Sequence, residues 1–205
     1  MRKQIALSAA ALVALGIGGT YLWTTIKEPA RQLAACSGST VAGGAIGGPF
    51  SLTDEAGAAV TDADVITGPT LIYFGYTFCP DVCPTDVSRN AIATDVLEEQ
   101  GHTVTPVFIS VDPKRDTPER LAEFTDFMHP RMIGLTGTPE QIAAAAKEYR
   151  TVYQLHDDED PDFYLVDHMT FTYLAFPEVG VVDFFRREAS PEEIAERTSC
   201  FINAL

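Results

Sequence analysis

Positive charge is what this 205-residue chain has least of. Fourteen Lys and Arg stand against 29 Asp and Glu, a formal net charge of −15. Arg2, Lys3 and Lys27 against Glu28 give the first 30 residues a local +2, so the remainder carries −17, the total less that +2. Such a surface repels phosphate backbones and anionic headgroups, which argues against nucleic acid and favours cationic ions or a basic protein patch; it serves solubility equally well. Length is limited too. A chain of 205 residues holds one domain with a full core plus a short extra segment, and two domains would be a stretch.

Charge of either sign is missing from the 23 residues between Lys3 and Lys27, which include Ile5, Leu7, Leu12, Val13, Leu15, Ile17, Leu22 and Trp23. The run exceeds the roughly 7 to 15 apolar residues of a signal-peptide core and is long enough to cross a bilayer, with Trp23 and Lys27 at the far interface. No convincing small-x-small cleavage site precedes a polar start. The expectation is an uncleaved anchor over residues 1–26, with a cleaved signal as the alternative. Arg2 and Lys3 hold the N-terminus in the cytoplasm, so a single pass through the inner membrane leaves the rest in the periplasm. Disulfides persist there.

Cysteine is scarce: only Cys36, Cys79, Cys83 and Cys200. Residues 27–48 turn small and Gly-rich and read as a linker. Within them Leu33-Ala34-Ala35-Cys36 superficially resembles a lipidation box, but Lys27, Glu28 and Arg31 separate it from the apolar run. A bridge between Cys36 and Cys200 would gain roughly 5 kcal/mol of loop-closure stabilisation, against roughly 2 for the small ring between Cys79 and Cys83. A Cys36–Cys200 disulfide is therefore expected, fastening the linker to the terminal helix. The close pair is left for chemistry, with a structural disulfide as the plain alternative.

That pair sits in LIYFGYTFCPDVCP. Leu71 to Phe74 read as a short buried strand, Gly75 allows a sharp departure, and Pro84 suits the first turn of a helix whose apolar face carries Val87, Ile92, Val96 and Leu97. A thiol at a helix start faces unpaired N–H groups that favour thiolate, the form that binds metals and attacks disulfides. The domain, over residues 49–205, opens on a hairpin through Phe50, Leu52 and Val60. Further on, Val104–Val111 is a second buried strand, Thr117-Pro118 and Thr138-Pro139 start helices, and Met132–Leu135 is a short strand between them. Phe171–Phe176 and Val181–Arg186 form a late hairpin, and Ser190-Pro191 starts a last helix. This alternation specifies an α/β fold. The acidic loop HDDEDPD at 156–162 lacks calcium-loop spacing. His102, His129 and His156 read as surface residues. A lone His168 before the late hairpin reads no more strongly, as a hydrogen-bonded loop histidine.

Three motifs in order change that reading. The cysteine loop, SVDPKRDTP at Ser110–Pro118 and YLVDH at Tyr164–His168 together resemble the SCO/SenC family of copper-binding assembly proteins, over roughly residues 45–203. The resemblance implies a thioredoxin-like fold with a central mixed sheet, an N-terminal hairpin extension and a preceding transmembrane helix. It implies maturation of the dinuclear copper site of cytochrome c oxidase subunit II, with that subunit and a further copper carrier as partners. By position it makes Cys79 and Cys83 the copper thiolates and His168 the imidazole ligand; Met169 stands where serine is often found.

Two thiolates and an imidazole suit one Cu(I) and can hold Cu(II), although a catalytic zinc site uses the same donors. Asp112, ending a central strand, is a candidate to hydrogen-bond a ligand or simply a strand terminator; Asp81 reads as a solvent-facing loop residue. The rival function is thiol–disulfide exchange by a redox-active Cys79–Cys83 pair, which would reduce a partner's copper-binding cysteines. Their three-residue spacing differs from the two of dedicated oxidoreductases. A peroxiredoxin would want threonine or serine where Tyr76 stands.

Overall fold

A computed structural model describes residues 33–36, 46–157 and 163–205. The apolar run at 1–26 lies outside them, and no helix among the described residues is long and apolar enough to cross a membrane. A hairpin of β1 (Ser51–Asp54) and β2 (Ala59–Thr61) leads through the short turn α1 (Asp62–Val65) into β3 (Thr70–Gly75) and α2 (Val82–Glu99). Next come β4 (Thr105–Ser110), α3 (Pro118–Met128), β5 (Ile133–Thr136) and α4 (Pro139–Glu148). The chain finishes with β6 (Tyr153–Leu155), β7 (Val166–His168), β8 (Thr172–Phe176), β9 (Gly180–Phe185) and α5 (Pro191–Ala204).

Seven strands form one mixed sheet in the order β2-β1-β5-β4-β3-β8-β9. Strands β3, β4 and β5 run parallel, while β1 adds to β5 and β8 to β3 antiparallel. Every residue of β3 is buried, as a central strand covered on both faces requires. Two apolar clusters form the core. One gathers Ile72, Phe74, Phe108, Leu121, Ile142 and Tyr149; the other gathers Leu71, Leu97, Leu174, Ile194 and Phe201.

The helix starts have the chemistry their sequences promise. Thr117 accepts from the Arg120 N–H, Thr138 forms a capping box with Gln141, and Ser190 accepts from the Glu193 N–H, each just before a proline. Two expectations need correcting. Helix α2 buries Val87 and Leu97 and packs Val96 on the core as expected, but it exposes Ile92 and also buries Asp86, Arg89, Asn90 and Thr94, because part of its inner face sits over a polar network. His129 is buried, not on the surface: its Nδ1 accepts from the Arg131 N–H and its Nε2 faces Asp95 at 3.2 Å. The two-stranded ribbon of β6 and β7 is an addition, since strands of three residues and an intervening acidic loop carry no readable alternation.

Within the stretch read as linker, residues 33–36 form a helical turn, and Leu33 and Cys36 pack on the second cluster. Cys36 is joined to Cys200 in α5, with Cα atoms 5.6 Å apart and a sequence separation of 164. Ile194 and Phe201 of the same helix are fully buried, at about 1.5–3 kcal/mol each. The bridge, at about 5 kcal/mol, thus matches roughly two such side chains. A Cys36→Ser, Cys200→Ser variant should therefore melt well below the parent yet bind metal as before. Thermal unfolding beside metal stoichiometry reads both, and unchanged melting would deny the bridge a stabilising role.

Candidate metal centre

The centre lies where β3 ends. Gly75 permits it: a Cβ there would meet the Phe108 and Tyr73 rings at 2.9 Å and Cys83 Sγ at 3.1 Å, so any side chain would push the cysteine loop away. Cys79 follows in the loop, half-buried, and Cys83 is fully buried in the first turn of α2. The third group arrives from the other end of the domain. Tyr73 of β3 is paired with Thr172 of β8, so the residues just before β8 must cross the end of β3. His168, the last residue of β7, is therefore delivered onto the cysteines.

Cys83 Sγ lies 3.1 Å from His168 Nε2, and the Cys83 backbone N–H donates to Cys79 Sγ at 3.3 Å. The ligand atoms of Cys79, Cys83 and His168 all fall within 4.8 Å of one another. The far ring nitrogen, Nδ1, donates to the Met169 carbonyl at 3.0 Å. A carbonyl only accepts, so Nδ1 carries a proton, and in the neutral ring the Nε2 lone pair points at the thiols. The rings of Tyr73 and Tyr76 stand edge-on to the imidazole at 6.0 and 5.8 Å and hold it between them.

The two thiols differ sharply. Cys79 is lowered from a usual 9.0 to about 4, chiefly because the Cys83 thiol hydrogen-bonds to it, with the N–H groups of Asp81, Cys83 and Val82 adding to an effect that partial burial opposes. The same shared hydrogen bond, together with burial, pushes Cys83 far up. The pair thus holds one proton, on Cys83, facing two acceptors, the Cys79 thiolate and His168 Nε2. Burial pushes the Tyr76 phenol up to about 12, so it stays protonated, accepting from the Val166 N–H and donating to Cys79.

Among the described residues no carboxylate belongs to the cluster, and its donors are soft or borderline, which fits copper and disfavours magnesium or calcium. Asp112 does not reach the three ligands. Its Oδ1 accepts from the Tyr164 hydroxyl at 2.6 Å and its Oδ2 from Arg115 Nε at 2.5 Å. Asp81 is solvent-exposed.

Support comes from residues the motif reading left without a role. Asp116, buried, accepts from the Thr77 N–H and hydroxyl at 3.0 and 2.6 Å and from Ser110 at 2.6 Å, pinning the cysteine loop to the end of β4. Beneath the imidazole, Tyr73 donates to Asp86 at 3.0 Å, and Asp86 pairs with Arg89, which donates to Thr172. For Tyr73, Asp86, Arg89 and Thr172 the hint in sequence was polarity within helix or strand segments, and for Asp116 it was its place in the SVDPKRDTP motif.

A family profile described as SCO1/SenC matches residues 39–203. Protein SenC of Rhodobacter capsulatus is 54% identical over 204 residues, 99% of this chain and 92% of that protein. Arabidopsis thaliana ScoI, solved with copper bound, is 41% identical with a TM-score of 0.71, covering 78% of this chain and 99% of that one. Yeast Sco1 with copper bound is 34% identical with a TM-score of 0.74, covering 79% and 91%.

Because Cys79 titrates near 4, its reactivity is set by a group already ionised at neutral pH. Alkylation of the reduced, metal-free protein at Cys79 should stay level from pH 8 to 5 and fall as pH drops through about 4. Cys83 should remain unreactive throughout. Mass-resolved alkylation tests this, and a Cys79 rate that climbs tenfold per pH unit through neutrality would contradict it.

Proposed function

The chain belongs to the SCO1/SenC family, and on that premise we propose that it is a copper metallochaperone. It binds one copper ion through Cys79, Cys83 and His168 and passes it to the dinuclear copper site of cytochrome c oxidase subunit II, with another copper carrier as a further partner. The apolar run at 1–26 anchors it in the inner membrane, and the domain at 49–205 works in the periplasm. The observation that carries the reading is the convergence of two sulfurs and one imidazole nitrogen within 4.8 Å.

The donor set supports transfer as well as capture. Three protein ligands retain a copper ion without saturating it, so an incoming thiolate or imidazole can bind before a resident ligand leaves. Each exchange trades one bond for another, and the ion is never released to water. Cys79 and His168 are half-buried, at the accessible side, while Cys83 is the deep ligand. Exchange would start at the first two and finish at the third.

The thiol asymmetry favours a second reading. A half-buried thiolate beside a buried thiol is the arrangement for disulfide exchange: Cys79 attacks a partner disulfide and Cys83 resolves the mixed intermediate. One dithiol becomes a disulfide, the partner's disulfide becomes two thiols, and two electrons move. A partner whose copper-binding cysteines arrive oxidised could be served by both activities in turn.

His168→Ala separates the two. In the full-length chain the variant should lose the thiolate-to-Cu(II) absorption and more than about tenfold in affinity, the lower bound for disturbing even an outer partner of a metal ligand. Its dithiol should still be oxidised and exchanged at the parent's rate. Wild-type copper binding in this variant would remove His168 from the site and overturn the three-ligand reading.

A further inference from the structure

The segment Ser110–Pro118 contributes no metal donor, yet one of its side chains touches both halves of the centre. Arg115, nine-tenths buried, donates from Nε to Asp112 at 2.5 Å and from Nη1 to the Tyr164 carbonyl at 3.0 Å. Its guanidinium carbon stands 3.5 Å over the Tyr164 ring, 4.8 Å from the Phe78 ring and 5.7 Å from the Tyr76 ring. Phe78 immediately precedes Cys79, Tyr164 leads into β7 and His168, and Tyr76 is one of the two rings that flank the imidazole. Nη2 is buried without a hydrogen-bond partner among the described residues, and the guanidinium lies against aromatic faces.

We propose that Arg115 is a positioning residue that fastens the ribbon of β6 and β7, and with it His168, to the cysteine loop. The inference rests on Cys79, Cys83 and His168 being the copper ligands. Neutralising Asp112 would need only a cation, and lysine would do. The geometry asks for more. A planar group stacked on Tyr164, facing Phe78 and donating to a backbone carbonyl in its own plane uses the guanidinium fork, which an ammonium cannot reproduce. Removing the fork leaves the cysteine loop held by Asp116 and loosens the ribbon, which then relies on the Tyr164–Asp112 and Val166–Tyr76 hydrogen bonds, so the imidazole loses its place while the dithiol keeps its own.

Arg115→Lys in the full-length chain tests this, since it keeps the charge beside Asp112. In the reduced, metal-free protein, the cross-relaxation between the His168 and Tyr76 rings should be present in the parent and weakened several-fold in the variant. With copper, affinity should fall by about 10–100-fold, the range for partners that orient a metal ligand, and the nitrogen coupling in the Cu(II) spectrum should be lost. The Arg115→Lys, His168→Ala double variant should bind no more weakly than His168→Ala alone, because both changes remove one contribution. Tyr164→Leu removes the stacking face but leaves the Asp112 pair, and should give the same spectral loss if Arg115→Lys does not fold. Retained ring contact and nitrogen coupling in whichever variant folds, or a further fall in the double variant, overturns the proposal. Should the parent bind no copper while Arg115→Lys still loses the ring contact, the metallochaperone reading fails and the positioning role stands.

Discussion

Cys83 Sγ and His168 Nε2 come within 3.1 Å although 85 positions separate them, and bringing them together is the constraint the domain satisfies. Helix α2 starts at the end of β3 because Gly75 leaves room for it. Pairing β8 with β3 then forces the residues before β8 across that same strand end. Sheet order, rather than any local preference, makes the centre. A site assembled this way depends on long-range packing, so its metal affinity and the domain's integrity are linked through a few connecting side chains.

Those side chains are mostly polar, and burying them is costly unless each finds partners. Asp116 accepts three hydrogen bonds, Asp112 two from side chains, and Asp86 is shared between Tyr73 and Arg89. None of these carboxylates is among the three ligands. They hold the elements that carry the ligands, so the pocket itself keeps soft donors and offers little to a hard cation. The acidic exterior can raise the local concentration of cations without choosing among them; on the proposed reading, selection for copper would fall to the sulfurs and the imidazole.

Much of this was legible from residues alone. The buried strand Leu71–Phe74, the turn at Gly75 and the helix after Cys79 follow from hydrophobic pattern and proline placement, and the three helix caps from Thr and Ser before proline. The pairing of the two remote cysteines could be argued from chain entropy. His168 could not be chosen among four histidines by periodicity; only the order of three motifs singled it out. Strands of three residues, as in β6 and β7, are too short to show alternation, so the ribbon that carries His168 looked like loop. His129 appeared to be at the surface because its burial arises from a tertiary contact with α2, near Asp95. The same limitation hid Arg115 and Asp116. Their motif was visible, but what they touch lies 49 and 39 positions away, at Tyr164 and Thr77.

On the proposed reading, one copper ion is held by two sulfurs and one imidazole nitrogen from this single chain. X-ray absorption of the full-length protein, reduced and loaded with one equivalent of Cu(I), tests it most directly. The predicted result is a three-coordinate ion with two sulfur scatterers and one nitrogen scatterer, whose outer-shell pattern is that of an imidazole ring. A linear two-sulfur ion with no imidazole signal, or binding only as copper clusters bridging several chains, would contradict the account.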